Sequence, residues 1–128
     1  MKFIFLLFLM GFLLTGCSSN GVDTDIGFSF MLGQEAYELI ASDPSVIVLD
    51  VRTEDEFLGG HIAGSVLLPV DEIEERAASI LHDKEVTILV ICRSGNRSQT
   101  ASQLLVDLGF TNVYDIGGII SWQGEITN

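Results

Sequence analysis

Two runs of aliphatic and β-branched residues stand out in the chain, Val46-Ile47-Val48-Leu49-Asp50-Val51 and Val86-Thr87-Ile88-Leu89-Val90-Ile91. Neither alternates polar with apolar positions, so each predicts a strand covered on both faces, as in the middle of a parallel sheet. Between and after them the apolar period lengthens to that of a helix: Ala36, Leu39 and Ile40; Ile73, Ala77, Ile80 and Leu81; Ala101, Leu104, Leu105 and Leu108. Gly109, directly after the last set, is a helix stop. Thr53 with Glu56 makes a capping box that opens a short helix just past the first strand. Shorter strands fit residues 65–68 and 112–114. Asp71, Glu72, Glu74 and Glu75 read as a helix start with a solvated face, since oxygen ligands of a metal ion would need a spacing with a turn glycine. Strand and helix alternate, which predicts an α/β fold with a central, mostly parallel sheet flanked by helices on both faces.

A different pattern opens the chain. Lys2 precedes an apolar run over residues 3–14, broken only by Gly11, and Leu14-Thr15-Gly16-Cys17 follows. A positive start, a short apolar segment and small residues describe an export signal over residues 1–16. The run falls well short of the roughly 20 apolar residues that cross a bilayer, so an anchor is expected in place of a span. Residues 17–27, rich in Ser, Asn, Gly and Asp without any period, read as a flexible tether, which leaves 28–128 as one domain.

With Lys2 removed alongside the leader, five basic residues face eighteen acidic ones, a net charge near −13. Such a body repels phosphate backbones and anionic lipid, which argues against nucleic acid as a partner. The two cysteines, Cys17 and Cys92, stand far apart and supply neither a disulfide framework nor a zinc-binding spacing. Cys92 is then the single thiol of the folded domain.

In open α/β sheets functional groups gather where strands end and helices begin. Ile91 runs directly into Cys92-Arg93-Ser94-Gly95-Asn96-Arg97, ahead of a helix expected from Ser98. A cysteine there sees inward-turned backbone N–H groups and the positive end of a helix dipole, which together stabilise a thiolate or a bound oxyanion. Gly95 and Asn96 tolerate positive φ and let the backbone curl around the sulfur. Two of the five basic residues fall in these six positions, a cationic mouth on an acidic body suited to an anionic substrate. The plainer reading is a buried cysteine at a strand end with two solvated arginines.

Three ordered segments resemble the rhodanese family, sulfurtransferases that move sulfane sulfur through a cysteine persulfide. The first is Leu49-Asp50-Val51-Arg52 with Glu54, Glu56-Phe57, Gly60-His61-Ile62, Gly64 and Pro69; the second is Cys92-Arg93-Ser94-Gly95-Asn96-Arg97-Ser98; the third is Gly117-Gly118-Ile119 with Trp122. The resemblance spans nearly the whole domain and implies a rhodanese-like fold. It implies Cys92 as the nucleophile, with Arg93, Ser94, Gly95, Asn96, Arg97 and Ser98 lining the substrate. Sulfur would pass from thiosulfate or a similar anionic donor to cyanide or a thiol, a protein thiol included, with no metal or organic cofactor. A non-catalytic sulfur carrier is the alternative. A cysteine phosphatase or arsenate reductase is disfavoured, because the C-x4-R loop is one residue shorter than the C-x5-R cradle of cysteine phosphatases.

Several neighbouring residues read as support. Asp50 and Arg52 end a buried strand and are expected to pair and orient the adjacent loop. His61 invites a Cys/His pairing, but in the resembled motif it braces the fold; His82 reads as a solvated turn residue, and Trp122 with Ile119 and Ile120 as core closure. Leu14-Thr15-Gly16-Cys17 resembles the lipobox of bacterial lipoproteins, which implies lipid attachment at Cys17. The protein would then sit on the cell-envelope membrane facing the periplasm, or on the cell surface in a Gram-positive source. Ser18 beside it resembles a signal for the outer membrane. None of these patterns encodes an oligomeric state.

Overall fold

The computed structural model describes residues 26–128. The leader over residues 1–16, the proposed lipid-bearing Cys17 and the tether as far as residue 25 lie outside the described residues. In chain order the elements are β1 (Ser29–Phe30), α1 (Gly33–Ser42), β2 (Ile47–Asp50), α2 (Glu54–Leu58), β3 (His61–Ile62), β4 (Val66–Leu67), α3 (Ile73–Ile80), β5 (Ile88–Cys92), α4 (Asn96–Asp107), β6 (Val113–Gly118) and β7 (Ile126–Thr127). Short 3-10 turns precede α3 at Val70–Glu72 and follow β6 at Ile119–Ser121.

Five strands form one sheet in the order β1-β6-β5-β2-β4, every neighbouring pair parallel. All five residues of β5 are buried, as its unbroken apolar run requires of a central strand. Its side chains alternate between two cores. Ile88, Val90 and Cys92 pack with Leu49, Val51, Ala77 of α3 and Ala101 and Leu105 of α4. Leu89 and Ile91 pack on the other face with Val48, Ile116 and Ala36 of α1. Helices therefore cover both faces. Among the described residues no helix is long and apolar enough to cross a membrane.

The structure departs from the sequence pattern at several points. Ile26, which the sequence pattern assigns to the tether, packs against the core that α3 and α4 cover. Helix α4 starts at Asn96, two residues before Ser98. Strand β6 runs on to Gly118. Of the four two-residue strands among the described residues, β4 falls within the expected residues 65–68, while β1, β3 and β7 carry no sequence pattern of their own; β3 and β7 pair antiparallel as a separate small sheet. Trp122 and Ile119 do pack on the α1 side of the core, but Ile120 is 70% exposed and takes no part in closing it.

Parallel strands put all their C-terminal ends on one edge of the sheet, where β5 delivers Cys92 and β6 delivers Gly117 and Gly118. The opposite edge carries the turns that lead into the strands. There the Asp43 carboxylate accepts from Ser45 N–H at 2.9 Å, the Asp83 carboxylate accepts from Glu85 N–H at 2.8 Å, and Asn112 donates to the Glu85 carbonyl at 2.7 Å.

Candidate active site

Cys92 is the last residue of β5, and it is buried, with 0% of its surface exposed. The Gly95 N–H donates to its Sγ at 3.0 Å. Gly95 has φ 104°, the left-handed conformation that turns the chain back over the sulfur and into α4. Asn96 does not share it: among the described residues only glycines have positive φ, and Asn96 is the first helical residue. Helix α4 has no side-chain cap and no acidic residue in its first turn, so nothing within the helix offsets its positive end.

The loop lies directly on the backbone of β6. Gly118 pairs with Cys92 in register, and a Cβ at Gly118 would overlap the Arg93 carbonyl and lie 2.6 Å from the Ser94 Cα. The Arg93 carbonyl also accepts from Ile120 N–H at 3.2 Å. Ser98, buried, donates its hydroxyl to the Gly95 carbonyl at 3.0 Å, so its one proton braces the loop and is not presented to a ligand.

The two arginines of the loop differ. Arg97 forks onto Glu56 of α2, Nη1 to Oε1 at 2.7 Å and Nη2 to Oε2 at 2.9 Å. Arg97 titrates higher than a free guanidinium, first because of that bond to Glu56, with smaller contributions from the charges of Cys92 and Asp50. The Arg93 side chain is exposed and has no bonding partner among the described residues, and neither have the side chains of Ser94 and Asn96. Arg93 is therefore the guanidinium free to meet an anion.

Glu56 has two tasks. It closes the capping box of α2 with Thr53 and holds Arg97. The hydrogen bonds from Arg97 lower its pKa from 4.5 to about 2, against partial desolvation that raises it, with Thr53 assisting. A carboxyl depressed on folding contributes stability above its unfolded pKa and loses it as pH falls toward the folded value. The native protein is therefore expected to lose its advantage over Glu56→Gln between about pH 4.5 and 2. Above that window the difference is about 1 kcal/mol, since the pair is partly exposed. Urea titrations of both proteins across that range check it; a pH-independent difference contradicts the bridge.

Asp50 and Arg52 lie beneath this layer, 0% and 5% exposed. Arg52 Nε donates to both Asp50 oxygens at 3.0 and 3.1 Å, and its Nη2 donates to Asp50 Oδ2 at 2.8 Å. The same Nη2 donates to the Gly60 carbonyl at 2.7 Å, and Nη1 to the Glu56 carbonyl at 3.3 Å. The pair thus ties the end of β2 to α2 and to the turn after it. His61 follows that turn, its ring stacked on Phe57 at 3.7 Å with Nδ1 donating to the Phe57 carbonyl at 2.8 Å. The structure joins it to α2 and, through β7, to Thr127.

Two contributors escaped the sequence reading. Glu56 was visible as a cap but not as the anchor of Arg97, because 41 residues separate them. Asp115 of β6 is 4% exposed beside the loop, its Oδ1 accepting from Gly117 N–H at 2.9 Å. Its only sequence signal is an acid inside an otherwise apolar strand.

An α/β domain with a strand-end cysteine held by a left-handed glycine at a helix start is the class these features define. The model of the rhodanese-like domain matches residues 33–125, and the chain belongs to that family. The thiosulfate sulfurtransferase GlpE of Coxiella burnetii (strain RSA 331 / Henzerling II) is 37% identical over 92 residues, covering 71% of this chain and 83% of that protein. The thiosulfate sulfurtransferase PspE of Escherichia coli (strain K12) is 34% identical over 71 residues, 56% of this chain and 68% of that one. A crystal structure of a rhodanese-related protein from Thermoplasma volcanium superposes with a TM-score of 0.67 at 32% identity, covering 77% of this chain and 97% of the other. At the level of the family, the activity is sulfur transfer.

Proposed function

We propose that the protein transfers sulfane sulfur from thiosulfate or a related anionic donor to a thiol or cyanide through a persulfide on Cys92. The observation that carries this reading is the Gly95 N–H on Cys92 Sγ at 3.0 Å at the uncapped start of α4. The Cys92 thiolate attacks the outer sulfur of the donor; a new S–S bond forms, the donor's own S–S bond breaks, and sulfite leaves with the bonding pair. Arg93, exposed and unpaired among the described residues, binds the anionic end of the donor. Arg97 contributes charge near the sulfur while its fork stays on Glu56. Cys92 has no exposed surface, so donor access requires a local movement of the atoms that cover it.

Treatment with thiosulfate followed by mass spectrometry is expected to show one added sulfur atom on the peptide containing Cys92. An unchanged peptide mass under saturating donor overturns the reading. The same proposal includes export and a lipid on Cys17, supported by Leu14-Thr15-Gly16-Cys17. Metabolic labelling with a fatty-acid probe is expected in the native chain and lost in Cys17→Ser; equal labelling of both overturns it.

A further inference from the structure

One groove at the functional edge is not used by the chemistry above. It runs between the β1–α1 junction and the start of α4, with Gly95, the glycine that holds the sulfur, in its wall. Its volume is roughly 540 Å3, far beyond the needs of cyanide or thiosulfate, ions of a few atoms each. Two carboxylates line it, Glu35 and Asp115, and no lysine, arginine or histidine does. Asp115 has no cationic partner among the described residues. Phe30 and Leu32 stand on its rim, 64% and 78% exposed. Exposed apolar side chains beside uncompensated acid are complementary to a segment with apolar and basic residues.

We propose that this groove receives the sulfur acceptor, and that the acceptor is a protein presenting a cysteine thiol on a segment of basic and apolar residues. The inference rests on the persulfide reading for its chemistry. The acceptor thiol gives its proton to solvent, and its thiolate attacks the outer sulfur of the Cys92 persulfide. The new S–S bond forms on the acceptor, the bond to Cys92 Sγ breaks, and Cys92 departs as thiolate. The negative charge of the groove favours this approach by a basic segment, whereas the small anionic donor is drawn to Arg93.

The test uses the protein preloaded with thiosulfate and two synthetic peptides, a cysteine flanked by lysines and a leucine, and the same peptide with glutamates for the lysines. The expected result at low salt is sulfur uptake at least about tenfold faster, as kcat/KM, for the basic peptide. Glu35→Lys is expected to shrink that ratio about threefold or more, and Leu32→Ser to slow both peptides together. Loading of Cys92 by thiosulfate stays unchanged in both variants. Glu74→Lys, an exposed position on α3, controls for overall charge and should leave the ratio nearly intact. An unchanged ratio in Glu35→Lys, or an equal change in Glu74→Lys, overturns the groove. Fluorescence titration with a serine version of the basic peptide separates the two claims. Binding weakened by Glu35→Lys upholds the groove even where Cys92 takes up no sulfur, and binding indifferent to Glu35→Lys overturns it.

Discussion

Replacing Cys92 with serine is expected to reduce thiocyanate formation from thiosulfate and cyanide by at least about 10^4-fold, to the level of the uncatalysed reaction. The serine hydroxyl keeps an acceptor for the Gly95 N–H but is no nucleophile toward sulfane sulfur at neutral pH, and it cannot hold a persulfide. The side chain is buried in the core that α3 and α4 cover, so the exchange also removes some apolar contact. That cost is about 1 kcal/mol, too small to unfold a domain of ordinary stability. Circular dichroism should therefore be native while turnover is absent. Residual turnover in Cys92→Ser above a few per cent contradicts a persulfide mechanism. A native protein that gains sulfur yet makes no thiocyanate is a carrier, which separates the two readings of the family.

The largest effect on stability is expected at Arg52. In Arg52→Met the Asp50 carboxylate stays at 0% exposure but loses three hydrogen-bond donations from the guanidinium. Removing one partner of a buried pair costs about 3–5 kcal/mol, because the remaining charge has no water to turn to. The Gly60 and Glu56 carbonyls lose their donor at the same time. Urea denaturation should show the loss in the midpoint with little change in slope. The double variant Asp50→Leu with Arg52→Met removes both charges and should recover much of the loss, since the penalty is that of a stranded ion. A loss below about 1 kcal/mol in Arg52→Met would contradict the role assigned to the pair.

The parts of the fold legible in the chain are those with enough positions to show a period. β2 and β5 read as strands because their apolar runs are unbroken, and α1, α3 and α4 read as helices because their apolar positions recur at three- and four-residue spacing. β1, β3 and β7 are made by pairing, two residues at a time, and carry no local signal. The start of α4 is not legible from hydrophobicity, because Asn96 and Arg97 are polar; their helical state follows from the turn at Gly95.

The site divides in the same way. Cys92 is legible because a strand end followed by Gly95 is a local arrangement, and so are Asp50 and Arg52, two residues apart. The difference between Arg93 and Arg97 is not local, since it depends on a carboxylate brought from α2. Nor is the requirement for glycine at 118, which comes from the Arg93 carbonyl lying where a Cβ would go.

The rim of the sheet away from Cys92 is closed by short polar turns that contribute nothing to sulfur chemistry. Ser45 and Glu85 are exposed there, and Glu85 lies roughly 20 Å from the sulfur along β5. A fluorophore, a surface linkage or an affinity handle attached at these two sites would leave the reactive edge facing outward, so that immobilised protein could be charged and discharged with sulfur in successive flows.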